Sequence, residues 1–147
     1  MWNEIADEKD LENLLEVTHF FHDSCIKEFR YISGAYVGEA LSMHPINDCR
    51  ELHVIIQTQW ESLSMIELEF AGLKAFKLFP VDEQYTCEIL DSTMRFKDGC
   101  VYWCDCGGLS EADLEDYDGT LICASKLRWR PIVGCMGTTE FFPSIVS

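Results

Sequence analysis

The stretch CVYWCDCGG, residues 100–108, places Cys100, Cys104 and Cys106 close together. Thiolates ligate metals and act as nucleophiles. The run therefore has the residue types for a zinc site, for redox chemistry or for nothing more than a buried strand face. On an extended chain alternate residues share a face. Cys100, Tyr102, Cys104 and Cys106 then lie on one side, with Val101, Trp103 and Asp105 on the other. The spacing is C-x-C rather than the C-x₂-C of common zinc knuckles, and no second such pair follows. Cys123, on a later strand, is the sulfur that could join them. Free cysteine behaves as a small hydrophobe, so we expect sheet-face thiols. Metal binding by Cys100, Cys104, Cys106, Cys123 and His22 is the alternative.

A second cluster is HFFHDSC, residues 19–25, with His19, His22, Asp23 and Cys25. The His22-Asp23 pair has the types of a base and its orienting group. Its nearest nucleophiles are Ser24 and Cys25. The same residues suit the junction between a helix and a strand, where Asp and Ser satisfy backbone groups. We assign no catalytic residue and no cofactor.

Charge supplies two further candidates. Lys126, Arg128 and Arg130 alternate along TLICASKLRWR, which on a strand puts all three on one face and Leu127 and Trp129 on the other. They could bind a carboxylate or phosphate. They could also pair across the sheet with acids such as Glu88, Asp91 or Asp105, and pairing is the reading we favour. The opposite patch is SEADLEDYD, with Glu111, Asp113, Glu115, Asp116 and Asp118. Leu114 breaks any EF-hand spacing. A solvated acidic turn is the ordinary reading, and docking onto a basic partner is the sharper one.

These groups need elements to hold them. DEKDLENLLEVTH, residues 7–19, carries Leu11, Leu14, Leu15 and Val17 on one helical stripe, with acids at its start. Strands are expected at about Cys25 to Ser33, in RELHVIIQTQW and in SMIELEFAG, where Ile66, Leu68 and Phe70 oppose Glu67 and Glu69. LKAFKLF follows Ala71-Gly72 by a hairpin or a bulge. YTCEILDSTMRF and CVYWCDC flank Lys97-Asp98-Gly99, a hairpin signal. Ser110 with Asp113 matches a capping box for a short acidic helix. TLICASKLRWR is the last strand, ended by Pro131. Residues 34–49 read as a connection, and 131–147 carry no clear signal. Strands this close in sequence pair antiparallel. The expectation is one α+β domain over residues 1–147: a mostly antiparallel sheet of about six or seven strands, an N-terminal helix and a short acidic helix.

Composition narrows the function. The 147 residues are 48% hydrophobic and carry 26 acids against 11 bases, a net charge of −15. Such a surface repels nucleic-acid phosphates and anionic membranes and steers toward a basic protein. The acidic N-terminus does not resemble a signal peptide, and no apolar run is long enough to span a membrane. A cytoplasmic location, with its eight cysteines reduced, is expected.

FHDSCIKEFRYISG, followed by an alternating strand and then IELEFAGLKAFKL, resembles a pattern in small bacterial proteins, some of them immunity proteins of polymorphic toxin systems. The shared features are Phe21-His22-Asp23 opening into a strand, and Ile66, Leu68, Phe70 and Gly72 on a later one. The resemblance implies an acidic protein-binding module and carries over no catalytic residue. A small-molecule or metal-binding protein, using the His22/Asp23 corner or the Cys100–Cys106 face, is the alternative. The chain is expected to be a monomer or a homodimer.

Overall fold

The structure, a computed structural model, describes residues 1–143. Its helix α1 spans Glu8–Val17 and starts where the charge pattern places it. Asp7 is the N-cap; its side chain accepts from the Asp10 backbone N–H while the Asp10 carboxylate accepts from the Asp7 N–H. This reciprocal pair satisfies two of the orphan donors of the first turn. Leu11 and Leu14 are buried against the sheet, each stabilising by about 1.5–3 kcal/mol.

The helix ends in a strained corner. His19, Phe20 and Phe21 all have positive φ, between 52° and 59°. A left-handed turn costs non-glycine residues about 1–2 kcal/mol each. Full burial of Phe21, edge-to-face with Trp103 at 6.0 Å, offsets it.

Seven strands form one antiparallel sheet: β1 (Asn3–Ile5), β2 (Cys25–Ile32), β5 (Glu51–Gln57), β6 (Met65–Lys77), β7 (Thr93–Lys97), β8 (Cys100–Cys104) and β9 (Leu121–Pro131). Their order is β2-β5-β6-β9-β8-β7, and β1 pairs with the second half of β9. A separate two-stranded hairpin, β3 (Tyr36–Val37) with β4 (Met43–His44), lies in the 34–49 segment read from sequence as a plain connection. The fold class is the expected one, α+β and mostly antiparallel sheet.

Register gives the sheet two different faces. Leu52, Phe70 and Leu127 are neighbours across β5, β6 and β9, as are Val54, Leu68 and Trp129. These belong to the core beneath α1, with Val101, Trp103 and Ile122. Trp103 thus lies in the core and Trp129 packs against it. The second face carries His53, Glu67, Glu69, Arg128 and Arg130 at one end, and the thiols at the other.

Two local predictions resolve. Ala71-Gly72 lies within a continuous strand, since β6 runs unbroken for 13 residues, and the register shift against β9 falls just beyond, between Leu73 and Ala75. Gly72 sits at φ +63°, and a β-carbon there would lie 1.9 Å from Ser125 Oγ, so a larger residue would strain the backbone and push the Ser125 hydroxyl aside. Asp98 and Gly99 both have positive φ, the requirement of a tight two-residue hairpin turn. YTCEILDSTMRF is strand only from Thr93 onward. Before it, residues 85–88 are exposed and a single bridge joins Ile89 to Ser24. After β9, residues 132–143 cross the second face as a strap. Of the C-terminal segment without a sequence signal, residues 144–147 lie outside the described residues.

Candidate functional site

The acidic loop stands on the hairpin of β7 and β8. The capping box read from sequence is present: the Ser110 backbone N–H and hydroxyl both donate to Asp113 Oδ2 at 2.8 Å. The helix it begins is a single 3-10 turn, Glu111–Asp113. These hydrogen bonds hold the Asp113 carboxyl below its usual range. Lys97 anchors the loop from below, 3.2 Å from the Glu115 carboxylate and 3.4 Å from the Glu111 carbonyl. Glu111, Asp113, Glu115, Asp116 and Asp118 are all exposed, so the five form one outward anionic surface.

Lys126, Arg128 and Arg130 share a face, as expected from alternation. Pairing does occur, but the acids proposed for it, Glu88, Asp91 and Asp105, are not the partners. Strand order places β6 beside β9, and Glu69 and Glu67 are the cross-strand neighbours of Arg128 and Arg130. Arg128 binds Glu69 through two parallel hydrogen bonds, Nε to Oε2 at 2.8 Å and Nη2 to Oε1 at 3.1 Å. Arg130 Nε donates to Glu67 Oε1 at 2.8 Å. The indole of Trp2 covers both guanidiniums, 4.2 and 4.4 Å from its centroid. Lys126 is exposed and makes no ion pair among the described residues.

His53 completes this network, a residue the sequence reading did not single out. Its Nδ1 lies 2.8 Å from Glu67 Oε2 and its Nε2 2.5 Å from Glu51 Oε1. The hydrogen bond to Glu67 raises the His53 pKa against the opposing effect of burial, and Glu51 adds to the rise. Burial alone would raise Glu67, but hydrogen bonds and charge from His53 and Arg130 outweigh it and hold the carboxyl low. The signal was present in sequence as three i,i+2 stripes: Glu51/His53, Glu67/Glu69 and Arg128/Arg130. Only strand order shows that they align. Among the described residues Glu51, His53 and Glu69 also bring three ligand atoms within 4.8 Å. A cation there would have to displace Arg128 from Glu69.

The cysteine face has the predicted sidedness. Val101 and Trp103 are in the main core, while Cys100, Tyr102, Cys104 and Cys123 pack with Leu109, Leu114 and Tyr117 beneath the acidic loop. Burial pushes the Cys104 thiol up to about 12 and raises Cys123. Raised thiols are poor nucleophiles and poor ligands at neutral pH. Cys106 lies beyond the strand and is exposed. No three ligand atoms from Cys100, Cys104, Cys106, Cys123 and His22 come within 4.8 Å among the described residues.

His22 and Asp23 form an exposed pair, 3.3 Å apart, at the strained corner. His22 Nδ1 is 2.7 Å from the Leu90 carbonyl oxygen. The Ser24 hydroxyl is buried and donates to the Phe21 carbonyl, so it is engaged in holding the turn. Asp23, Cys25, Gln57, Thr58 and Glu88 line an open cavity of about 640 Å³.

No protein-family model, curated protein or solved structure matches the chain. Among the described residues, no helix is long and apolar enough to cross a membrane.

Proposed function

We propose that this protein is a binding module whose acidic surface, centred on the 111–118 loop, docks a basic protein, as the resemblance to immunity proteins implies. One observation carries the reading. The densest group of bases in the sequence, Lys126, Arg128 and Arg130, is largely consumed within the sheet, where Arg128 pairs with Glu69 and Arg130 with Glu67. With these two pairs neutral, the whole net charge of −15 falls on the remaining residues. Like-charged loops on a rigid hairpin raise association rate and partner discrimination more than they raise affinity. The test is capture of binding partners from cells that express the chain, identified by mass spectrometry. Wild type should retain a basic protein that the Glu111→Lys, Glu115→Lys, Asp116→Lys variant loses while still folded. Equal capture by both would refute the reading.

The cavity at Asp23 and Cys25 favours a second reading, a small-molecule protein using that corner. It requires a ligand that remains bound through purification and is lost in Asp23→Asn. A bare mass in native mass spectrometry would count against it. The oligomeric state under either reading is monomer or homodimer, which sizing against concentration distinguishes.

A further inference from the structure

The strap of residues 132–143 is tied down by side chains of the sheet. Lys27 donates to the carbonyls of Gly137 and Thr139, Gln57 to those of Cys135 and Gly137, and Glu28 accepts from the backbone N–H groups of Phe141 and Phe142. Between strap and sheet lies a cavity of about 640 Å³, lined by Arg30, His53, Glu67, Arg130, Phe141 and Phe142. That volume is within the usual range for small-molecule sites. Its polar floor is largely self-satisfied, because Glu67 serves both Arg130 and His53. What remains is cationic. Arg30 has no ion-pair partner among the described residues; its guanidinium stands 5.8 Å over the Phe142 ring. Arg130 spends Nε and Nη2 on Glu67, and its Nη1 makes no hydrogen bond among the described residues. The acids around the cavity are committed: Glu28 to the strap backbone, Glu51 and Glu67 to His53, Glu69 to Arg128. Two phenyl rings inclined at 75°, Phe141 and Phe142 with centroids 5.0 Å apart, form the roof.

We propose that this cavity binds a small aromatic carboxylate, its anion on Arg30 and the free edge of Arg130 and its ring under Phe141 and Phe142. Guanidinium forks match carboxylates in geometry and charge, and phenyl rings favour tilted or edge contacts with a ring of the ligand. The site is independent of the acidic loop and of the reading built on it. In an otherwise anionic protein it is a local place where a small anion meets uncommitted cationic donors.

The experiment is calorimetric titration of the full chain with phenylacetate, and with phenylacetamide as its uncharged counterpart. Saturable binding of phenylacetate is expected, with none of the amide. Arg30→Gln, at an exposed position, should weaken phenylacetate by at least about tenfold, the loss expected for a charge-assisted hydrogen bond. Phe142→Ala should weaken it independently, which keeps the test open if one variant folds poorly. No saturable binding, equal binding of acid and amide, or wild-type affinity in both variants would overturn the proposal.

Discussion

Arg130 and Glu67 face each other across β9 and β6 as register partners, with Arg130 Nε 2.8 Å from Glu67 Oε1. They are 63 residues apart in sequence. Their pairing ties one side of Arg130 into the sheet and leaves its Nη1 edge toward the cavity under the strap. The Glu67 side chain is 3% exposed and that of Arg130 is 38% exposed, so the acid is the member that needs the pair.

Removing Glu67 should therefore destabilise the protein. Breaking a buried pair costs about 3–5 kcal/mol when a charge is stranded. Arg130 can turn toward water, so Glu67→Gln should cost less, about 1–3 kcal/mol. Urea unfolding would measure it as a lower midpoint at an unchanged slope. A loss within error of zero would mean the network contributes little.

The same network sets a pH window. The His53 pKa lies above its ordinary 6.5, so its contribution is whole below 6.5 and fades as pH rises through the raised value. The Glu67 pKa lies below its ordinary 4.5, so its contribution is whole above 4.5 and fades as pH falls through the lowered value. Both are present together between 4.5 and 6.5. Around His53 stand Glu51 on its own strand, Arg30 on β2, Glu67 and Glu69 on β6, and Arg128 and Arg130 on β9. Thermal melts across the acid and neutral range should show this optimum in wild type and a flatter profile in Glu67→Gln. Identical profiles would remove the network as its source.

The thiols should divide by environment. Cys87 and Cys106 are exposed, whereas Cys104 and Cys123 are buried with raised pKa values. Iodoacetamide at neutral pH should label the first two fastest and the last two slowest, followed residue by residue in mass spectra. Fast labelling of Cys104, or one zinc retained per chain, would contradict a sheet-face role for the cysteine run.

Local chemistry made much of the fold legible. The alternation of Ile66, Leu68 and Phe70 against Glu67 and Glu69 gave β6 its two faces. Asp98-Gly99 marked its hairpin, and Ser110 with Asp113 its capping box. What escaped was short or distant. β1 is three residues in an acidic segment and forms only because β9 offers it an edge. The alternation within TLICASKLRWR showed that the bases share a face. It could not show which strand lies alongside, so Glu67 and Glu69 were missed as partners and His53 as their link. The strap has no periodicity, since side-chain-to-backbone hydrogen bonds hold it rather than a ladder of its own.

Two variants of equal charge change separate docking by the acidic loop from the effect of net charge alone. One carries Glu111→Lys, Glu115→Lys and Asp116→Lys on the acidic loop. The other carries Glu8→Lys, Glu12→Lys and Glu16→Lys on the exposed side of α1. Partner capture is read for both at low and moderate salt. The loop variant should lose the basic partner while the helix variant keeps it. Equal loss in both would mean that net charge acts without a docking surface, and unchanged capture by the loop variant would place the interface elsewhere.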